Sequence, residues 1–291
     1  MKRERSSLTA LGIAAFRALE SERKPNEKIC EDPYARKFIP AWFYYIAKFT
    51  MVTGYAEWRS PGVMGFLVTR ARYIDDYLSE CIRDGIEQLV ILGAGFDSRP
   101  YRFEQLRGRV RVFEVDHPAT QRVKKAKLTK IFGELPNYVT FVPVDFTQET
   151  LEKRLVESGY DKAAKTLFIM EGVTMYLSPE AINSTLSFVA GYAGQGSSLI
   201  FDYMYKSLLD GTEKHGEVIS MRRNWLYSGY FGEVLTFGVE EGRIEDYLRE
   251  RGFQQIHDVN HEELERMYFT GENRSRRVAS GYSIVSAIIA R

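Results

Sequence analysis

The chain has 291 residues, 44% of them hydrophobic and 27% charged, and its 40 basic and 39 acidic residues leave a formal net charge of +1. This length is enough for one large domain with a full core, and the balanced charge argues against a protein that binds nucleic acid through an excess of basic residues. The two cysteines, Cys30 and Cys81, are far apart in the sequence, so neither a disulfide framework nor a cysteine-based zinc site is predicted.

Residues 1–85 are predicted to form a mostly helical N-terminal extension, or lid, on the rest of the chain. The apolar run at 42–49 is too short to cross a bilayer, which takes about 20 residues, so we expect a buried helix or part of a lid there. The charged N-terminus is not followed by the apolar stretch of a secretory signal. We therefore expect a cytoplasmic protein with no membrane partner.

Residues 86–203 and 239–291 alternate between strand-like and helix-like segments, which is typical of an α/β core with a parallel sheet. Strands are predicted at 88–92, 111–115, 139–144, 166–170, 198–203, 255–259 and 282–290. Helices are predicted at 117–132, 148–157, 179–192 and 239–251. Ser178 before Pro179 is a favourable N-cap, and Gly252 after Arg251 is a favourable helix stop.

An insertion at 204–238, rich in Tyr, Gly, Arg and Trp, follows the fifth strand and is interpreted as a lid or substrate wall. The basic run at 122–127 is interpreted as the solvated face of a helix. All segments are assigned to a single domain of residues 1–291.

The first core strand leads into Gly93-Ala94-Gly95-Phe96-Asp97, a loop whose glycines let the backbone approach a ligand closely. The dinucleotide fingerprint G-x-G-x-x-G requires a glycine where this chain has Ser98, and a diphosphate would be repelled by Asp97. S-adenosylmethionine carries a cationic ammonium group and no phosphate. The loop therefore favours an S-adenosylmethionine-dependent methyltransferase over the alternative, a nicotinamide-dependent oxidoreductase.

Carboxylates follow the next strands at their carboxyl ends, where ligands of open α/β sheets bind. Asp116 lies about twenty residues after the loop, the spacing at which a carboxylate accepts hydrogen bonds from ribose hydroxyls. Asp145, beside Phe146, suits an adenine ring and its amine, although it suits equally well a cap of the helix predicted from 148. Glu171 emerges directly after a buried strand and is predicted to hold the ammonium group of the cofactor.

The chain resembles the leucine carboxyl methyltransferase family, and more closely its bacterial and archaeal members. The matching stretches are TA at 9–10, FRALE at 16–20, DPYA at 32–35, TRARYIDD at 69–76, LGAGFDSR at 92–99, FEVDHP at 113–118, VDF at 144–146 and EGVTMYL at 171–177. This resemblance implies a class I methyltransferase fold, Rossmann-like, with a seven-stranded sheet whose last strand is antiparallel and a helical N-terminal extension over the site.

The resemblance also implies roles for single residues. Asp116 and the pair Asp145-Phe146 take the positions that hold ribose and adenine, although many relatives carry Leu where this chain has Phe146. Gly93, in the loop with Gly95, and Glu171 take the positions that hold the methionine part. Arg70 takes the position of an arginine on the cofactor carboxylate, with Arg72 as a near alternative.

The expected reaction is O-methylation of a carboxylate, or of a hydroxyl, on a small molecule or a protein C-terminus. A carboxylate is already ionised at pH 7 and needs no general base, so positioning supplies most of the catalysis. Candidate acceptor-site residues are Tyr176, Tyr203, Tyr205, Arg222 and Arg223. No catalytic residue and no metal site is predicted. A non-catalytic cofactor-binding module that contacts a partner protein remains a further alternative.

Overall fold

A computed structural model of the chain describes residues 8–144, 150–212 and 235–290. Its strands are β1 (Gln88–Leu92), β2 (Arg111–Asp116), β3 (Val139–Pro143), β4 (Thr166–Met170), β5 (Ser198–Met204), β6 (Phe253–Val259) and β7 (Tyr282–Ile289). They form one sheet in the order β3-β2-β1-β4-β5-β7-β6. Neighbouring strands from β3 to β5 are parallel, and β7 is antiparallel to both β5 and β6, as predicted.

Helices surround the sheet and fill the N-terminal extension. They are α1 (Leu8–Ser21), α2 (Ala35–Phe38), α3 (Ala41–Val52), α4 (Tyr55–Arg59), α5 (Val63–Arg83), α6 (Arg99–Arg102), α7 (Pro118–Phe132), α8 (Leu151–Glu157), α9 (Pro179–Tyr192), α10 (Lys206–Asp210), α11 (Ile244–Arg249) and α12 (His261–Tyr268). The side chain of Ser178 accepts a hydrogen bond from the amide of Ala181 and caps α9, as predicted.

The helix predicted at 239–251 is shorter in the structure. Val239 forms an isolated bridge with Tyr205, and α11 begins only at Ile244. Gly242 has φ = +75°, a left-handed conformation that an α-helix does not contain, so the helix starts after it. Of the predicted insertion at 204–238, the structure describes α10 and the residues that flank it, and 213–234 lie outside the described residues.

The sheet is covered on both faces. Because alternate residues of a strand point to opposite faces, Leu89 and Ile91 join the apolar cluster that includes α1, α5 and α7, whereas Val90 and Leu92 join the cluster with α8 and α9. The N-terminal helices therefore extend one layer of the core. α1 packs against α2, α3 and α5 and lies across the edge where β1, β2 and β4 end.

The apolar run at 42–49 does not form a buried helix, the first of the two alternatives that we predicted for it. It forms most of α3, in which Tyr44 is buried, but Trp42 and Phe49 are 62% and 69% exposed. α3 is an outer helix that packs on α1 with one side only, so its other side faces outward. No helix within 8–144, 150–212 or 235–290 has the length and apolar character needed to cross a membrane.

Candidate functional site

The loop after β1 is held against β2 by its backbone. The amides of Gly93 and Ala94 donate hydrogen bonds to the carbonyl of Val115 (2.8 and 3.0 Å). Gly93 has φ = +68°, and a Cβ built on it would lie 2.4 Å from Cγ2 of Val173. Only glycine combines this backbone conformation with so close an approach of the neighbouring segment.

Asp116, the last residue of β2, also holds the loop in place through a side-chain hydrogen bond. Its Oδ2 accepts a hydrogen bond from the amide of Gly95 (2.5 Å), and its Oδ1 accepts one from the amide of His117 (2.6 Å). Burial raises the pKa of Asp116 above its ordinary value, and the two amide hydrogen bonds oppose this rise. Each oxygen of a carboxylate accepts about two hydrogen bonds, so one acceptor position per oxygen is left for a ligand.

Two neighbouring cavities open at this edge of the sheet. The first, of about 200 Å³, lies between α1, the loop and the segment after β4, and residues from Thr9 to Arg17 on one side and Gly172 to Leu177 on the other line it. The second, of about 300 Å³, is mostly apolar, with Leu92, Val144 and Met170 in its wall. Gly93, Asp116, Val173 and Leu177 line both cavities.

Glu171 lies at the wall of the first cavity between two arginines. Its Oε1 is 3.0 Å from Nη2 of Arg70, and its Oε2 is 2.6 Å from Nη1 of Arg99. Burial alone would raise the pKa of this carboxyl, but the charges of Arg99, Arg70 and Arg17 outweigh burial and hold the pKa of Glu171 well below its usual range. The side chain is therefore an anion at neutral pH.

These ion pairs belong to a buried group that we call the arginine–carboxylate cluster. It contains Arg17, Arg70, Arg99, Arg102, Asp32, Asp75, Asp97, Glu171 and Asp202. Its four arginines face five carboxyl groups, and burial raises the pKa of one of these, Asp202, above its ordinary value. Buried charges are costly unless they are paired. Glu171, which also lines the first cavity, offers an ionised carboxylate to a cationic group of a ligand.

Most predicted site residues come together here. Gly93, Gly95, Asp116, Glu171 and Tyr176 line the first cavity. Arg70 is connected to these residues through its ion pair with Glu171. It also pairs with Asp202, whose Oδ2 is 2.7 Å from Nη1 of Arg70. Arg72, the alternative to Arg70, is half-exposed and pairs with Asp76 (2.8 Å) instead.

Other predicted residues do not join the site. Tyr203 is fully buried in the second apolar cluster, and its hydroxyl donates to Oδ2 of Asp258 (2.9 Å), so the structure does not bring it to the two cavities. The reason is strand alternation: Asp202 faces α5, and the next residue faces the opposite layer. Tyr205 is also buried. Four predicted residues lie outside the described residues: Asp145, Phe146, Arg222 and Arg223.

The basic run at 122–127 is not uniformly solvated, and our interpretation is wrong for Lys124. This side chain is 1% exposed, and its Nζ lies 2.8 Å from Oε2 of Glu114. It also donates a hydrogen bond to the carbonyl of Ala94 in the loop (3.2 Å). Lys124 thus supports the loop after β1 on the side of α7, because α7 turns this position toward the sheet.

Four important members of the cluster were not singled out by sequence reasoning: Arg17, Arg99, Asp75 and Asp202. Three of them lie within the stretches that carry the family resemblance, where their residue types were visible but not their contacts. Asp202 follows three buried apolar residues near the end of β5, the same signal that pointed to Glu171. The sequence therefore contained a signal that would have identified Asp202.

We expect Gly93→Ala to destabilise the protein by about 1–3 kcal/mol, because the new Cβ meets Val173 in a left-handed conformation that L-residues disfavour. Gly108→Ala is a matched control: its φ is +69°, and nothing lies within 4 Å of a Cβ built there. Thermal unfolding of both variants separates the clash from the backbone cost. An equal loss of stability in the two variants would show that the contact with Val173 has no effect.

Comparison with known proteins identifies the family of the chain. The sequence model of the leucine carboxyl methyltransferase family matches residues 10–190. YktD of Bacillus subtilis, provisionally named an S-adenosyl-L-methionine-dependent methyltransferase, is 32% identical over 203 residues, which make up 70% of this chain and 66%, just under two thirds, of that protein. A protein of Mycolicibacterium smegmatis with the same kind of provisional name is 30% identical over 253 residues, 84% of this chain and 81% of the relative.

The fold agrees as well. The crystal structure of a Thermobifida fusca protein, provisionally named a methyltransferase, matches 100% of this chain and 97% of its own with a TM-score of 0.60 at 13% identity. The predicted family, fold class, enzyme class and cofactor are confirmed, against the alternative of a nicotinamide-dependent oxidoreductase. The chain belongs to the leucine carboxyl methyltransferase family and is an S-adenosylmethionine-dependent methyltransferase.

Proposed function

We propose that this chain methylates a carboxylate oxygen, with S-adenosylmethionine held across the two neighbouring cavities. The observation that carries the cofactor part of the proposal is the convergence of Gly93, Asp116 and Glu171 on one cavity, next to a second cavity with apolar walls. The cofactor supplies an electrophilic methyl group when bound. The residues of this chain bind and orient the cofactor and the acceptor.

The methionine end of the cofactor is assigned to the first cavity. Its ammonium group is assigned to Glu171, which lines the cavity with a carboxylate that is ionised. For the carboxylate group of the cofactor, the family resemblance suggests Arg70. Arg17 lines the cavity directly, with Nη2 bonded to the carbonyl of Phe96 (2.7 Å), so we add Arg17 as a candidate.

The nucleoside end is assigned to Asp116 and the second cavity. Asp116 keeps an acceptor position on each oxygen for the ribose hydroxyls, and the aliphatic wall of the second cavity suits the face of an adenine ring. Asp145 and Phe146, which follow Val144 in the sequence and lie outside the described residues, stay predicted adenine contacts.

The acceptor is proposed to be a carboxylate for a chemical reason. A hydroxyl acceptor requires a base. Of the carboxylates that line the first cavity, Asp97 and Glu171 are paired with Arg99, and Asp116 is assigned to the ribose hydroxyls. A carboxylate acceptor needs only to be held in line with the methyl group. Among the described residues, we propose that Tyr176, which lines the first cavity, contacts the acceptor. Arg222 stays a prediction.

Binding of S-adenosylhomocysteine tests the cofactor assignment. We expect Asp116→Ala to weaken binding by about 1–3 kcal/mol, roughly 5- to 150-fold, because ribose hydroxyls and loop amides lose their acceptor. Isothermal titration calorimetry measures this change, with exposed Asp84→Ala, beyond the opposite edge of the sheet, as the control. Unchanged affinity in Asp116→Ala would remove this residue from the site.

The stability of the product to alkali tests the acceptor class. Labelled S-adenosylmethionine is incubated with the protein and a cell extract, and methylated products are treated with mild alkali. Carboxyl methyl esters release labelled methanol, whereas methyl ethers of hydroxyl groups do not. Alkali-stable label would overturn the carboxylate proposal, and cofactor binding without any transfer would favour the non-catalytic module.

A further inference from the structure

Helices α3 and α4 carry a row of large apolar side chains on the protein surface. Within the described residues, seven of the ten exposed large apolar side chains lie between residues 42 and 58. We call these seven the aromatic stripe: Trp42, Tyr45, Ile46, Phe49 and Val52 on α3, and Tyr55 and Trp58 on α4. Their exposed fractions range from 50% to 79%. Clusters of this kind are rare on soluble monomers and mark surfaces that contact something else.

The spacing places the α3 part of the stripe on one helix face. Positions 42, 45, 46 and 49 follow the 3.6-residue period, and the opposite side, with Phe43, Ala47 and Met51, packs against the core. The stripe is therefore the outer face of an anchored helix. It does not contribute to the fold, so its apolar character needs another explanation.

The residue types of the stripe suit a lipid–water interface. Four of its seven residues are tryptophan or tyrosine, at 42, 45, 55 and 58, and the other three are Ile46, Phe49 and Val52. Trp and Tyr concentrate at the headgroup level of membranes, where an apolar ring with one polar atom is most stable. A twelve-residue helix, about 18 Å long, suits a position in the plane of the interface.

The charge around the stripe is basic. Residues 35–60 contain Arg36, Lys37, Lys48 and Arg59 but only one acid, Glu57, whereas the rest of the chain has 36 basic and 38 acidic residues. The carboxylate of Glu57 accepts a hydrogen bond from the amide of Gly62 (2.9 Å). Lys48 pairs with Glu22 across the edge of the stripe (3.0 Å). Basic side chains beside an interfacial helix favour anionic lipid headgroups.

The same charges disfavour a second copy of the chain as the occupant. A two-fold interface would pair the patch with itself and bring two copies of its net positive charge together. We propose that α3 and α4 dock peripherally on an anionic lipid bilayer through the aromatic stripe. This replaces our expectation of no membrane partner and is independent of the identity of the methyl acceptor.

Vesicle binding tests the proposal on the full chain. We expect binding to phosphatidylcholine vesicles that contain phosphatidylglycerol, weakened by salt, and much less binding to phosphatidylcholine alone. Phe49→Asp should weaken binding by about tenfold or more, because an apolar side chain at the centre of the stripe is lost and a negative charge added. Met267→Asp, at a 45% exposed apolar residue of α12 outside the stripe, is the matched control.

Tryptophan fluorescence gives a second measurement. The chain has three tryptophans, so Trp225→Phe leaves only the two in the stripe, and their emission should shift to shorter wavelength when anionic vesicles are added. No binding to anionic vesicles, or equal binding of Phe49→Asp and Met267→Asp, would overturn the proposal. A dimer in sedimentation velocity that Phe49→Asp dissociates, without vesicle binding, would assign the stripe to a second copy. Equal binding to both vesicle types would overturn the role of the anionic headgroups.

Discussion

Replacing Lys124 with alanine is expected to lower the free energy of unfolding by about 3–5 kcal/mol, the usual cost of removing one partner of a buried ion pair. Lys124 and Glu114 are 1% and 0% exposed, and their charged atoms lie 2.8 Å apart. Without the ammonium group, Glu114 keeps the hydroxyl of Tyr101 (2.7 Å) but no positive charge. Burial already raises the pKa of Glu114, so loss of the cation favours its protonated form.

Urea unfolding of three variants measures this effect. Lys130→Ala, on the exposed side of the same helix, should change stability by less than about 0.5 kcal/mol. The double variant Lys124→Met, Glu114→Gln should recover much of the loss, because neither charge is then left alone. A loss below about 1 kcal/mol in Lys124→Ala would contradict the buried ion pair.

The carbonyl of Ala94 connects this ion pair to the cofactor loop. Loss of Lys124 should therefore affect cofactor binding as well as folding, whereas Gly108→Ala or Lys130→Ala should not. The site has two separate parts: the ion pair of Lys124 and Glu114, which supports the loop, and the carboxylates that line the first cavity. The first holds the backbone of the loop in place, and the second is the part to which we assign contact with the ligand.

The fold was largely predictable because its central strands are continuous apolar runs. β1 and β4 were predicted to the residue, and each is buried along its whole length. β6 begins two residues earlier than predicted, at Phe253. A register shift between Gln254 and His257, with Gln255 at φ = +48°, disturbs the alternation of apolar and polar residues that would have marked this strand.

The site was predictable where it depends on topology. The carboxyl ends of parallel strands meet at one edge, so acids that follow β2 and β4 had to lie near the glycine loop. The side chains that pair with the acids of the sheet depend on which face of each helix packs inward. That face is harder to infer from the sequence. For Lys124 a signal existed: Gln121, Lys124 and Leu128 share one face of α7 and are all buried.

The exposure of the aromatic stripe, in contrast, could not be predicted from the sequence. An apolar run of helical period predicts a face that avoids water, but the sequence does not say whether the protein core or another surface covers that face. Only the packing of α3 on the outside of α1 reveals it. The same period gives a buried helix in α9, where Ile182, Leu186 and Val189 join the core.

Replacing Glu171 with glutamine is expected to raise the Kd for S-adenosylhomocysteine by about 10- to 100-fold, since a hydrogen bond to a charged group contributes about 1.5–3 kcal/mol. Glutamine keeps the shape of the side chain but removes the charge that we assign to the ammonium group. The fold should survive, because Arg70 keeps Asp202 (2.7 Å) and Arg99 keeps Asp75 and Asp97 (2.7 Å each).

Affinity for 5′-methylthioadenosine separates this effect from general damage to the site. That ligand has the nucleoside but lacks the amino-acid end, so Glu171→Gln should bind it as well as the unchanged protein does, whereas Asp116→Ala should bind it less tightly. Glu134→Gln, an exposed acid after the far end of α7, controls for the loss of one charge. If Glu171→Gln weakens both ligands equally, Glu171 acts by holding Arg70 and Arg99 in place, and the ammonium contact must be assigned elsewhere in the cluster.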